Sequence, residues 1–309
     1  MNTSTEWNIR LSLEEQLTIA MAVLFNLLIL LFMQMGSAWD IFVLNMSIIA
    51  CIVMACLAQR NSYREYVRFF RDWYVLAFII IVYLENRRLI PLINRHDVDD
   101  LLIRADRFLF LGHDPTVLLE KIASPALSEM LQLSYASFYF LPFGLCVLLY
   151  FVKRSRPEFH ICASTIMMGF FLSYLGYYLT PAIGPRFTLA HLQASPLSGL
   201  YSFDFVREML SRGEGMMRDC CPSGHTMISL LTILLARRYF RPYFMIACVW
   251  ASILVFSTVY LRYHYVTDLL VGAVLGLVVY RYGTAISEAL ILNNGRIRDL
   301  VRAFFFWEE

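Results

Sequence analysis

Uncharged apolar stretches about as long as a bilayer's hydrocarbon core is thick recur along most of this chain, and they constrain its fold more than any motif does. A helix needs roughly 20 residues to cross about 30 Å of hydrocarbon. Candidate spans lie near 17–36, 41–58, 73–90, 130–152, 160–182, 225–240, 243–261 and 264–283; the third runs into Glu85, Arg87 and Arg88. With 59% hydrophobic and 15% aromatic residues and a mean hydropathy of +0.59, 309 residues carry more apolar side chain than a soluble interior covers. The expectation is an all-α integral membrane protein of about eight transmembrane helices. The first span reads as a retained helix, because acidic as well as basic residues precede it and no small-residue cleavage site follows.

Basic residues in short loops mark the cytoplasmic side. With the N-terminus inside, Arg60, Arg64, Arg68 and Arg71 follow the second span, Lys153, Arg154 and Arg156 the fourth, Arg237, Arg238 and Arg241 the sixth, and Arg281, Arg296, Arg298 and Arg302 the eighth. The outer turn Gly36 to Asp40 has no basic residue. This predicts a multi-pass plasma membrane protein (inner membrane in a bacterium) with both termini cytoplasmic and long outer loops at about 86–129 and 183–224. The Asn2-Thr3-Ser4 glycosylation pattern then falls inside. A net charge of +2, from basic residues scattered in short clusters, argues against a nucleic-acid partner. The seven cysteines show no metal-ligand spacing; Cys220 and Cys221 alone lie outside apolar runs, and they receive no catalytic role here.

On this topology three polar pieces share the outer face: Gly184-Pro185-Arg186, Ser223-Gly224-His225, and Arg262 to Asp268. His225 and His264 are 39 residues apart, separated by one out-and-back pair of spans. His264 and Asp268 are four apart, so on a helix the carboxylate holds one imidazole nitrogen and leaves the other bare for attack. Ser223 and Gly224 precede a helix start, where free N–H groups suit phosphate oxygens. From there His225 can protonate a leaving oxygen. Arg186 adds a forked, permanently charged donor. The pattern is one for phosphoryl transfer, and it calls for no metal and no cofactor. His96, His113, His160 and His191 read singly as structural residues.

These residues carry a resemblance to the type 2 phosphatidic acid phosphatase (PAP2) superfamily. Its pattern is an Arg-Pro block with an upstream lysine, a Pro-Ser-Gly-His block, and a Ser-Arg block followed by His and, four residues later, Asp. Pro222 to His225 match the second block; Ser257, His264 and Asp268 match the third at the family spacing, with Thr258 at the arginine position. Arg186 follows Pro185 where the family has Arg-Pro, and Leu179 stands at the lysine position. The resemblance implies a six-helix PAP2-type core and a phosphohistidine mechanism. His264 would be the nucleophile, Asp268 its partner and His225 the general acid, with Arg186, Ser223 and Gly224 around the phosphate. Since phosphoryl transfer depends on cations at the equatorial oxygens, the two departures call for substitutes. Arg262 is the first candidate and Arg107 the second.

The implied organisation is a two-helix extension at 1–72, a catalytic membrane domain at 73–283 and a cytoplasmic tail at 284–309. The Tyr-Leu-Arg-Tyr-His-Tyr run and the two extra spans resemble the branch that includes inositol phosphorylceramide synthases. The substrate expected is a membrane lipid phosphate, with water or a lipid alcohol as acceptor. Three other readings fit less well. A lipid carrier calls for Gly- or Pro-broken helices in matching halves, a vanadate haloperoxidase does not call for burial in a membrane on this scale, and a serine protease would pair Ser223 with His264.

Overall fold

The first membrane-length helix starts on a cap written in the sequence. In Ser12-Leu13-Glu14-Glu15 the Ser12 N–H donates to Glu15 Oε2 at 2.8 Å and the Glu15 N–H to Ser12 Oγ at 3.2 Å, a reciprocal capping box. The computed structural model describes residues 11–32, 38–60, 65–214 and 218–292 and divides into two compact units, 1–85 and 86–309. Asn2 to Ser4, Gly36, Arg64, Arg296, Arg298 and Arg302 lie outside the described residues. Every regular element among those described is helical.

In the first unit, helix α1 (Leu13–Phe32) packs along α2 (Trp39–Arg60), which meets α3 (Glu65–Tyr74). α1 buries Thr18, Met21, Ala22, Phe25, Asn26 and Ile29, the three-and-four spacing of one helix face. Glu15 is also buried, and it is satisfied: Arg71 Nε donates to its Oε1 at 2.7 Å, Arg71 Nη2 to its Oε2 at 2.5 Å, and the Tyr74 hydroxyl to its Oε1 at 3.0 Å. Without such partners a buried carboxylate would be costly. The division at 85 falls inside α4 (Ala77–Ile93).

The second unit continues through α5 (Asp99–Leu109), α6 (Pro115–Leu118), α7 (Pro125–Ala136), α8 (Phe140–Val147), α9 (Arg156–Leu179), α10 (Pro185–Thr188) and α11 (Phe203–Glu214). It closes with α12 (Gly224–Tyr239), α13 (Arg241–Tyr260), α14 (Val266–Val278) and α15 (Thr284–Leu292), the last two joined by a wide π turn at Val279–Gly283. α12 is the central helix, packed against α8, α9, α13 and α14. Its buried Met227, Ile228, Leu231 and Leu235 recur at helical spacing. α14 approaches it through Gly272 and Gly276, where a Cβ would come within 2.4 Å of the Ser223 carbonyl oxygen and 3.2 Å of that of Met227. Small residues at such crossings let helix backbones meet in an apolar setting.

Five described helical segments are long and apolar enough to cross a membrane: Leu13–Phe32, Trp39–Ala58, Arg156–Leu179, Arg241–Tyr260 and Val266–Leu292. Pro125–Ala136 with Phe140–Val152, bent by 51°, makes a sixth if it is one span. The expected eight are therefore not all present at that length. α4 has 17 residues and carries Glu85, Arg87 and Arg88 within it, and α12 has 16 with Arg237 and Arg238 in its last turn. At 1.5 Å per residue each is shorter than about 30 Å of hydrocarbon. The segment 284–292, expected as tail, is helical and buries Thr284, Ser287 and Ala289.

Candidate active site

The start of α12 is fixed by Ser223. Its Oγ accepts the Thr226 N–H at 3.2 Å, and its own N–H donates to the Asp268 carbonyl at 3.2 Å, which ties the first turn of α12 to that of α14. Ser223 is fully buried in this role. Gly224 is needed for close approach, since a Cβ there would lie 2.9 Å from the Tyr177 hydroxyl of α9. His225 follows in the first turn, its ring stacked on Tyr135 at 4.6 Å and tilted against Phe138 at 4.3 Å between centroids.

The second histidine comes from the connection between α13 and α14. Thr258, fully buried, turns its carbonyl to the N–H groups of Tyr263 at 2.9 Å and His264 at 3.1 Å, while its hydroxyl donates back to the Val255 carbonyl at 2.7 Å. The family's arginine position is thus occupied by a small residue inside a closed turn. From that turn His264 presents Nε2 to His225 Nδ1 at 3.2 Å and Nδ1 to Asp268 Oδ1 at 3.0 Å. The sequence-predicted trio of His225, His264 and Asp268 is therefore one hydrogen-bonded chain.

Asp268 is fully buried, and three donors reach its carboxylate: His264, the Tyr265 N–H at 2.8 Å and the Cys220 thiol at 3.0 Å. Cys220, given no role from sequence, is thus part of the site. Burial, and next the Asp268 charge, push its pKa well above the usual thiol value, so it remains a donor. Burial also pushes the His264 imidazole down, but the Asp268 carboxylate outweighs it and leaves the pKa above the ordinary histidine value. Cys220 Sγ and ligand atoms of His264 and Asp268 lie within 4.8 Å of one another, a donor set with metal-binding chemistry.

Two acidic residues on α5 hold these pieces together, and neither was singled out from the sequence. Asp106 accepts the N–H groups of Val266 at 2.9 Å and Thr267 at 2.7 Å, plus the Thr267 hydroxyl at 2.6 Å, and so caps α14. Asp99 accepts the N–H groups of Ile183 at 3.0 Å and Gly184 at 2.9 Å and the Tyr265 hydroxyl at 2.7 Å. Gly184, at φ 91°, turns the chain under the Tyr263 carbonyl, where a Cβ would come within 2.7 Å. That turn delivers Arg186, whose guanidinium lies over the Tyr263 ring at 5.7 Å and donates to Ser211 Oγ at 3.2 and 3.3 Å. Tyr263 in turn stacks on Tyr135 at 4.4 Å, continuing the aromatic wall that reaches His225.

The two arginines put forward as substitute cations are engaged elsewhere. Arg262, at φ 67°, gives its guanidinium to Glu120 at 2.7 Å, Gln193 at 2.6 Å and the Ser195 carbonyl at 3.0 Å. Arg107 is bidentate to Asp114, at 3.0 and 2.9 Å. Leu179, at the family's lysine position, is 79% exposed.

The family model described as PAP2 superfamily matches residues 100–282, more than half of the chain. The chain belongs to the PAP2 superfamily. The matched region contains every residue of the site just described except Asp99, which lies one position before it, and leaves out the first unit. Among curated proteins, a PA-phosphatase related-family protein of Dictyostelium discoideum is 25% identical over 177 residues, 50% of this chain and 32% of the relative. The match thus spans about one third of that relative's length. No solved structure matches the chain significantly. PAP2 membership and the apolar helices agree with phosphatase-type phosphoryl transfer by a multi-pass membrane protein.

Proposed function

We propose that this PAP2 protein transfers the phosphoryl group of a membrane-lipid phosphate ester through a covalent phosphohistidine on His264. The observation that carries the reading is the chain from Asp268 through His264 to His225, at 3.0 and 3.2 Å. Asp268 holds Nδ1 and leaves the Nε2 lone pair free to attack phosphorus. A phosphoryl group at Nε2 takes the place of the hydrogen bond between the two histidines. As the P–N bond forms and the ester P–O bond breaks, His225 gives its proton to the leaving oxygen. In the second half an acceptor O–H returns a proton to His225 while its oxygen displaces His264 from phosphorus.

The acceptor is water or a lipid alcohol. The aromatic wall of Tyr135, Phe138 and Tyr263 beside His225 favours an apolar acceptor, as in transfer resembling that of inositol phosphorylceramide synthases. The basic loops support a site on the extracytoplasmic side of the plasma membrane. The test is turnover of a labelled phospholipid by purified protein, with and without ceramide. Head-group transfer supports the transferase, free phosphate alone supports the hydrolase, and turnover retained by His264→Ala contradicts both.

A further inference from the structure

Phosphoryl transfer at His264 needs positive charge near the phosphate, and the site as described leaves most of its cations neutralised. Arg107 and Arg262 are held by Asp114 and Glu120, and the family's two further basic positions are Leu179 and Thr258. Among the described residues, two nearby arginines have no carboxylate at ion-pair distance. Arg186 donates to Ser211, and Arg207 Nη1 to the Leu197 carbonyl at 3.4 Å.

These two arginines face one open cleft of about 520 Å³, which Asp204, Glu208, Ser211 and Arg212 complete. Glu208 is already bound by Arg212, at 3.0 and 2.8 Å, so two unneutralised cations face the one carboxylate of Asp204. Arg207 is half-buried over the Phe203 ring at 5.7 Å. Burial, and next the charge of Arg186, push its pKa below the usual arginine value, with Tyr263 and Arg262 also within electrostatic reach. Like charges gathered in a partly desolvated cleft are unfavourable unless an anion joins them.

The cleft is anchored to the histidine turn. Glu129 of α7 accepts the N–H groups of Leu200 at 2.9 Å, Ser202 at 2.8 Å and Phe203 at 3.1 Å, which fixes the start of α11. Phe203 then packs with Tyr135, Tyr260 and Leu261. Arg207 is one turn further along α11, and Arg186 lies over Tyr263, the residue before His264.

We propose that Arg207 pairs with Arg186 to bind the phosphate-bearing head group of the substrate, supplying the charge that Leu179 and Thr258 do not. This rests on the phosphoryl-transfer reading above, and its test separates the two. Orthophosphate binding to the purified full chain is measured by calorimetry, in wild type and in the inactive His264→Ala background. Turnover of a short-chain lipid phosphate is measured in parallel, to distinguish the lipid head group from free phosphate as ligand.

The expected result is that Arg207→Ala weakens phosphate binding at least about tenfold in both backgrounds and lowers kcat/KM for the lipid phosphate by roughly 10²- to 10³-fold. Arg207→Lys, which keeps the charge but loses the fork, recovers part of each. Exposed Arg237, at the far end of α12, serves as control, and Arg237→Ala leaves both unchanged. Phosphate affinity and turnover of Arg207→Ala close to wild type would overturn the proposal. So would equal losses in Arg207→Ala and Arg207→Lys accompanied by a lowered melting temperature, which assign Arg207 a structural role. Turnover by His264→Ala would instead contradict the phosphohistidine reading, while phosphate binding still reports on Arg207.

Discussion

His225 Nδ1 and His264 Nε2 lie 3.2 Å apart, although 39 residues separate them in the chain. His264 is at the same time fixed from its other nitrogen by Asp268. One imidazole is therefore oriented and basic, and the other sits within proton-transfer distance of whatever that base attacks.

His225→Ala is expected to slow turnover of an alkyl phosphate ester by about 10²- to 10⁴-fold, the usual range for loss of a general acid. The loss should shrink strongly for p-nitrophenyl phosphate, whose leaving group needs no proton. Comparing the two substrates in steady-state kinetics checks this. An equal loss on both would mean that His225 does something other than protonate the leaving oxygen.

The pH profile follows from His264. The nucleophile must be neutral, so kcat/KM falls as pH drops through its pKa, which the Asp268 carboxylate holds above the ordinary value against burial. Asp268→Asn removes the raising partner and leaves burial, which lowers the pKa, so the acidic limb moves to lower pH while the maximal rate drops. Profiles corrected for the substrate's own second ionisation, near about pH 6, make the comparison. An unmoved limb would detach it from His264.

Arg262 is expected to matter for stability more than for phosphate binding. Removing one partner of a buried ion pair costs about 3–5 kcal/mol, and Arg262 and Glu120 have side-chain exposures of 5% and 14%. Arg262→Gly suits the φ of 67°, so it removes the guanidinium and its bonds to Glu120, Gln193 and Ser195 without adding backbone strain. It should lower the melting temperature, and Glu120→Gln in the same chain should restore part of it. An unchanged melting temperature with weakened phosphate affinity would return Arg262 to the substrate site.

Cys220, His264 and Asp268 could hold a metal, but the mechanism gives Asp268 to His264. Turnover should therefore survive EDTA, and added Zn²⁺ should inhibit by drawing the carboxylate and Nδ1 onto the metal. Cys220→Ser, which keeps a donor to Asp268, should weaken that inhibition. Loss of activity on chelation would replace the role assigned to Asp268.

The sequence made the histidine pair legible because its geometry is short-range. Asp268 is one helical turn from His264, and Ser223 to His225 form a cap and a first turn. What holds those turns in place was not legible. Asp106 caps α14 from 160 residues away, and Asp99 fixes Gly184 from 85 away; no local pattern announces such contacts. The side chains of Arg262 and Arg107 looked available because sequence shows charge and not its partner, whereas Glu120 and Asp114 already occupy them. Hydropathy located the apolar helices, of which five, or six with the bent pair, reach spanning length among the described residues, while α4 and α12 are shorter.

The most direct measurement is to quench the enzyme during turnover of a ³²P-labelled lipid phosphate and map the label by peptide mass spectrometry. The account predicts acid-labile, base-stable phosphate on the peptide containing His264, attached at Nε2, absent from His264→Ala and accumulating in His225→Ala with an activated substrate. Label on another residue, or full turnover with none on the protein, would contradict it.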